Sequence, residues 1–384
     1  MIYVKIKLYI NWGGVALDNF VYLDNAATSR ISEQALSVYN SVAKNNFANP
    51  SSLYSLGVLS EEIINSAKSK IARKIKNAKA NNILFTSGGT ESNNTSIKSV
   101  AFKNSRFGKH IVTGKMEHPS VLEPIKELEA LGFDVTYITP TKNGYEKSDI
   151  EKAIKKDTIL VSLMTVNNET GIYSDLSCVK EIIKEKESRA VFHSDCVQAF
   201  LKMPINAEHY DLISLSAHKI KGPKGIGALV FNKPFMPYIT GGGQQKGLRS
   251  GTEPIELIAS FAAAAEIFVT DGIKELNLYA RNALKKYVIN SPSLASPFIL
   301  NFSVPNYKSE TLLHFLESKN IFVSSGSACA KGEKSYVLSA LNVDNNLIDS
   351  ALRISFSSDN TKEDIDKLVA ALLEAEKELV KIRR

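Results

Sequence analysis

The stretch SSGSACAKGEK, Ser324 to Lys334, sets one cysteine, Cys329, among serine, glycine and alanine, with lysines on its downstream side. Small polar residues and glycines have little to bury, so this stretch is expected at the surface and mobile. An exposed thiol near positive charge has the makings of a nucleophile, because the thiolate is the reactive form and cations favour it. By the same rule Lys331 and Lys334 are expected to help hold Cys329 as thiolate near neutral pH. A packed free cysteine is the other reading, and the small neighbours argue against it.

Two further segments combine costly charges with apolar runs. AVFHSDCVQ ends such a run on Asp195, and SLSAHKIKGPKG ends another on Ser216, His218 and Lys219. A carboxylate at a buried strand end is expensive unless paired. A lysine there is equally so, and desolvation lowers its pKa toward that of a useful amine nucleophile. Upstream, NILFT runs into SGGTESNN, which places Gly89 and Thr90 where a helix begins. Backbone N–H groups at that start, with the Thr90 hydroxyl, would make a phosphate cradle, although serine and threonine also cap helices without any ligand. The GK[ST] of a nucleotide-triphosphate loop is missing.

Pyridoxal phosphate would satisfy these groups together. It needs a lysine to hold it covalently, an acid to keep its pyridine nitrogen protonated, and donors for its phosphate. On that reading Lys219 carries it, Asp195 faces the ring nitrogen, and Gly89, Thr90, Ser216 and His218 hold the phosphate. His118, in KMEHPSV, would stack on the ring and shuttle protons, while Asn168, in TVNNETG, and Gln198 donate to the phenolic oxygen. Taken singly, Asp195 and Lys219 also read as a structural ion pair and His118 as a satisfied structural histidine. His193, Asp195 and Cys196 lie close in sequence, but no CxxC or HExxH spacing supports a metal, and none is expected. A Gly-x-Ser-x-Gly elbow is absent as well.

The elements that must position these residues are short apolar runs alternating with helix-sized amphipathic stretches: NILFT, HIVTG, DVTYI, TILVSLMTV, AVFHSD, DLISLSA and GALVF. That alternation implies an α/β fold with a largely parallel sheet between helices, and ligands at the carboxyl ends of its strands. After GGGQQKGLRSGTEP a long helical region, roughly Ile255 to Asn290, is expected, then PFILNFSV and a second, smaller domain. The alanine-rich stretch around Ser260 to Val269 reads as a packed helix. YVKIKLYI, near the start, fits a short strand or an extension without assigned function, and no signal-peptide pattern accompanies it.

At 384 residues, 44% hydrophobic and 23% charged, the chain can build a large core and a second domain. The net charge of +7 is scattered over helical segments, so no direct nucleic-acid partner is expected. No apolar run reaches membrane-spanning length, and no membrane association is expected. Three cysteines without metal spacing point to a reducing cytosol and a cytoplasmic protein.

In order along the chain, VYLDNAAT, NPSSLYSLG, FTSGGTESNN, EHPSV, VNNETG, HSDCVQ, SAHKIKGPKGIGAL, GGGQQKGLRSGTEP, SSGSACA and SALRISFS resemble the cysteine desulfurases of the class V aminotransferase group. The resemblance implies a fold-type-I pyridoxal-phosphate-dependent transferase. Its large domain, residues 28–265, would hold a mostly parallel mixed seven-stranded sheet between helices. A smaller α+β domain would come from residues 1–27 and 266–384. It also implies a homodimer, with Thr252 of the partner subunit joining the phosphate site. Arg353 would pair with the substrate carboxylate beside Asn168, and Lys219 and His118 would move protons. Cys329 would take the sulfur of L-cysteine as a persulfide, release alanine, and pass the sulfur to an acceptor protein for iron–sulfur cluster assembly or for tRNA and cofactor thiolation. A selenocysteine lyase and a catalytically idle sulfur-carrier or scaffold subunit are the alternatives. The segment after Cys329 is about two residues shorter than in the commonest bacterial housekeeping type. Cys196 reads as a packing residue.

Overall fold

The structure, a computed structural model, describes residues 20–325 and 334–381. After β1 (Val21–Tyr22) come helices α1 (Glu33–Asn45) and α2 (Ser55–Arg73). Alternation then sets in: β2 (Ile83–Thr86), α3 (Gly89–Asn104), β3 (His110–Gly114), α4 (Pro119–Ala130), β4 (Asp134–Ile138), α5 (Lys147–Ala153) and β5 (Thr158–Ser162). It continues through α6 (Val179–Glu185), β6 (Val191–Asp195), β7 (Leu212–Ser216), β8 (Gly227–Phe231), α7 (Ile255–Ile267) and α8 (Ile273–Ala283). The remainder is β9 (Val288–Ile289), β10 (Ile299–Ser303), α9 (Ser309–Ser318), β11 (Ile321–Phe322), β12 (Ser324–Ser325), α10 (Tyr336–Ala340), α11 (Asn345–Ile348), β13 (Ala351–Ser355) and α12 (Lys362–Glu378).

Seven strands form one sheet in the order β2-β8-β7-β6-β5-β3-β4. Neighbours among β7, β6, β5, β3 and β4 are parallel, and β8 runs antiparallel to both β2 and β7. This is the mostly parallel mixed sheet expected from the alternating runs. Successive residues point to opposite faces of a strand. Ile213 and Leu215 therefore join one apolar cluster while Leu212 joins another, and Ala228 and Val230 are likewise separated from Leu229. Helices cover both faces, which is why β3, β5, β6 and β7 are buried along their whole length.

The direction of the strands decides where the chemistry sits. β3, β5, β6 and β7 share a direction, and β2 shares it too because β8 inverts twice. All five therefore present their carboxyl ends along one edge of the sheet. A separate four-stranded antiparallel sheet, β12-β13-β10-β9, and the parallel pair β1-β11 pack around a third apolar cluster. Leu23, Leu276, Phe302, Ile354 and Leu372 belong to that cluster.

Three sequence expectations need correction. The helical region from Ile255 breaks after Ile267, because Gly272, at φ 76°, starts a new helix in the left-handed conformation that glycine tolerates, and β9 then takes residues 288–289. The run TILVSLMTV is a strand only to Ser162; beyond it, Val166 makes an isolated bridge to Tyr173. Ser324, expected at the surface, is buried, because β12 pairs with β13 opposite Arg353. The predicted strand YVKIKLYI lies outside the described residues.

Candidate active site

Of the residues predicted for cofactor or substrate, all but Thr252 and Cys329 line one cavity of about 340 Å³ at the carboxyl edge of the large sheet. Cys329 and Lys331 lie outside the described residues. Thr252 is exposed and lines no part of this cavity.

Asp195 is the last residue of β6. Its Oδ2 accepts from Asn93 Nδ2 at 2.8 Å and its Oδ1 from the Val197 N–H at 2.9 Å, so neutral donors satisfy this buried carboxylate. Lys219 closes a short helical turn after β7, and its Nζ donates to the carbonyls of Ala26 at 2.7 Å and Ala27 at 2.6 Å. The segment after β1 thereby becomes a wall of the site.

His118 caps the N-terminus of α4. Its Nδ1 accepts from the Ser120 N–H at 3.1 Å and lies 2.8 Å from Ser120 Oγ, which in turn accepts from Asn93 Nδ2. An Nδ1 that accepts leaves the proton of the neutral ring on Nε2. Burial lowers the His118 pKa and Lys219 adds to this, while Asp195 opposes it. One relay of hydrogen bonds thus joins His118, Ser120, Asn93 and Asp195.

At the phosphate end, α3 begins directly after β2 and offers its first N–H groups. A Cβ on Gly89 would stand 2.7 Å from Val197 Cγ2, so this close approach excludes larger residues. Ser216 Oγ is buried without a hydrogen-bond partner. His218 is pushed down to about 3 by burial, with Lys219, Lys224 and Lys202 adding to the effect, and its neutral ring lies 3.2 Å from Thr28 Oγ1.

At the opposite end Arg353, on β13, is 1% exposed. Its Nη2 pairs with Asp24 Oδ1 at 2.6 Å, its Nη1 donates to the Asn168 carbonyl at 2.9 Å, and its Nε has no partner. The side-chain oxygen of Asn168 is also buried and unpartnered. Orphaned buried polar atoms are rare in folded proteins. Here four of them, on Asn93, Ser216, Asn168 and Arg353, belong to residues of one cavity that also contains a lysine, a carboxylate and a helix start. That donor set fits pyridoxal phosphate carrying an amino acid.

Sequence reasoning missed several contributors. Asn93 lies one helical turn beyond Gly89 in the quoted SGGTESNN, and that i, i+4 spacing was the available signal. Asp24 was visible within VYLDNAAT but had no sequence sign of meeting Arg353. Glu117 is buried, accepts from Tyr145 Oη at 2.7 Å and the Met164 N–H at 2.8 Å, and burial pushes it up to about 8. Cys196 packs as expected: burial pushes its thiol up to about 12, and Thr165 Oγ1 lies 3.2 Å away. Among the described residues no cluster of three or more metal-ligating side chains occurs.

Fold and site together define an α/β scaffold whose sheet edge carries a lysine and a carboxylate in one cavity. The aminotransferase class-V family model matches residues 21–368. The chain is 40% identical over 364 residues to Cysteine desulfurase IscS of Dictyoglomus turgidum, covering 90% of this chain and 92% of that protein. It is 38% identical over 381 residues to a NifS/IcsS protein homolog of Lactobacillus delbrueckii subsp. bulgaricus, covering 94% and 98%. A solved NifS-like protein superposes with a TM-score of 0.88 at 33% identity, covering 94% of this chain and all of that one. The chain therefore belongs to the aminotransferase class-V family, among its cysteine desulfurases.

Proposed function

We propose that this chain is a pyridoxal-phosphate-dependent sulfurtransferase that converts L-cysteine to L-alanine and a persulfide on Cys329, for delivery to a sulfur-acceptor protein. The observation that carries this reading is the convergence of Lys219, Asp195, His118 and the unpartnered atoms of Ser216, Asn168 and Arg353 on one cavity. When bound, the cofactor supplies an electron-withdrawing ring that weakens bonds at the carbon bearing the substrate amine. Asp195, held by Asn93 and the Val197 N–H, keeps a proton on the ring nitrogen. The N–H groups at the start of α3, with Thr90, Ser216 and His218, grip the phosphate. Arg353 binds the substrate carboxylate through N–H groups that Asp24 and Asn168 leave available. Lys219 Nζ moves a proton at the substrate α-carbon, and His118 Nε2 exchanges one with the substrate amine or sulfur.

The working unit in this reading is a homodimer, with Thr252 of the partner subunit completing the phosphate site. Support comes from the exposure of Thr252 away from its own cavity and from an apolar segment at the start of α2, where Leu53 is 97% and Tyr54 58% exposed. The domain division at residues 28–265 against 1–27 and 266–384 is supported by an apolar cluster that gathers Val21, Leu23 and Ala26 with Ile273 to Ala375, although Val337 packs into the core of the large sheet. A cytoplasmic location is supported by the free thiols of Cys178 and Cys196, and no helix among the described residues is long and apolar enough to cross a membrane.

The test is purification without added cofactor, followed by assay of alanine and protein-bound persulfide from L-cysteine. The protein should be yellow and be bleached by borohydride. Cys329→Ala should keep the colour and form no persulfide, whereas Lys219→Ala should lose the borohydride-trapped adduct. Full persulfide formation by Cys329→Ala would overturn the reading, and preferential release of selenide from selenocysteine would redirect it.

A further inference from the structure

Lys202, in the turn after β6, has no role in the scheme above, yet it stands directly behind the cavity wall. Its Nζ donates to Gln198 Oε1 at 3.1 Å and lies 5.5 Å from the centroid of the buried Phe298 ring. The residue is partly exposed, desolvation lowers its pKa, and no carboxylate among the described residues forms an ion pair with it. The charged groups acting on it are Lys219 and Arg353, both positive. A desolvated lysine among like charges is costly unless its amine has a partner, and here that partner is the Gln198 amide.

The two neighbours of the Gln198 amide fix its orientation. A lysine amine facing an amide here serves as donor, so the amide atom it meets is the oxygen. A backbone carbonyl only accepts, so the atom facing the Ala26 oxygen at 2.9 Å is the nitrogen. This amide orientation follows from the chemistry of the partners and needs no other assignment. One N–H of Gln198 then remains for the cavity its side chain lines. The same Ala26 carbonyl also accepts from Lys219, so the two lysines and the amide form one network.

We propose that Lys202 is a positioning residue: by holding the Gln198 oxygen, it keeps an amide N–H turned toward the ring oxygen of pyridoxal phosphate. The inference rests on the functional reading above. Without Lys202 the Ala26 carbonyl alone orients the amide, so the N–H facing that ring oxygen is held less firmly and stabilises a negative charge there less well. Burial, with Lys219 and Arg353, pushes the Lys202 amine down to about 7. An amine donates hydrogen bonds whether or not it carries the additional proton, so the orientation persists on both sides of that value.

The test is a pH titration of the visible absorbance of the holoenzyme. In Lys202→Met the midpoint of the spectral transition should rise by about one pH unit, and in Lys202→Arg, which keeps a donor, it should stay within about 0.3 units of the parent. Gln198→Ala should also raise the midpoint, and adding Lys202→Met to it should move the midpoint no further. An unshifted Lys202→Met, or an equal second shift in the Gln198→Ala background, would overturn the proposal, the latter by showing that Lys202 acts through its charge alone. If Lys202→Met does not accumulate as folded protein, Lys202→Leu carries the same expectation. A protein that stays colourless with added pyridoxal phosphate defeats the functional reading and this inference with it; a coloured protein with unmoved midpoints defeats this inference alone.

Discussion

The two ends of the cavity handle charge in opposite ways. At the Asp195 end the carboxylate is satisfied by an amide and a backbone N–H, both neutral. At the Arg353 end the guanidinium is already matched by a full opposite charge, Asp24, with one carbonyl beside it. Neutral donors stabilise a carboxylate without cancelling it, so in the proposed function Asp195 would be available to the ring nitrogen of the cofactor. A paired arginine is held still, and its remaining N–H groups offer shape and hydrogen bonds to a substrate carboxylate more than net charge. The first end is built on β6, the turn that follows it and α3, whereas the second joins β13 to the segment after β1.

Removing the charge at the first end should have the largest effect. Asp195→Asn keeps the size of the side chain but cannot stabilise a protonated ring nitrogen, and kcat/KM for cysteine should fall about a thousandfold, ~4 kcal/mol of barrier. An activity within tenfold of the parent would break the contrast between the ends. At the second end, Asp24→Asn leaves a buried arginine without its counter-charge and should lower the unfolding free energy in urea by about 3 kcal/mol. Saturating substrate should recover part of that loss, because its carboxylate supplies a counter-charge at the remaining N–H groups of Arg353.

Glu169 sharpens the comparison through pH. It is buried near Arg353 and accepts from Ser335 Oγ at 2.5 Å, and burial raises its carboxyl to about 7 against the hydrogen bond and Arg353. Unfolded, this group gives up its proton near its ordinary value of 4.5, so between there and about 7 the folded state binds more protons. Stability conferred by the protonated form is therefore full below 4.5 and declines as pH rises to about 7, by up to about 3 kcal/mol. Urea melts across that range should show this slope reduced in Glu169→Gln, and an unchanged slope would assign the burial cost elsewhere. The smallest effect is expected from Asn93→Ala, which loosens Asp195 and Ser120 without removing a charge. A loss of about tenfold in kcat should result, with KM nearly unchanged.

Much of this was legible in one dimension because it depended on local pattern. Every strand of the large sheet lies within an apolar run visible in the sequence, since a strand covered by helices on both faces cannot carry polar residues cheaply. Lys219, Asp195 and His118 stood out because each breaks such a run at its end. The parts that stayed hidden are pairings across long separations. Asp24 meets Arg353, and Lys219 meets the carbonyls of Ala26 and Ala27, through contacts that no periodicity records. The break before Gly272 was missed although Val269, Thr270, Asp271 and Gly272 are all weak helix formers, because the alanine-rich run ahead of them dominates the pattern.

The amino-acid order alone determined the α/β alternation and the chemical types that follow its strands, because burial periodicity is a local consequence of side-chain chemistry. Only the tertiary structure decided which groups meet: that Arg353 is already engaged by Asp24, that Asn93 links Asp195 to Ser120, and that Lys202 donates to Gln198. Those facts depend on ångström-scale distances between segments far apart in the chain, and packing of the whole molecule sets them.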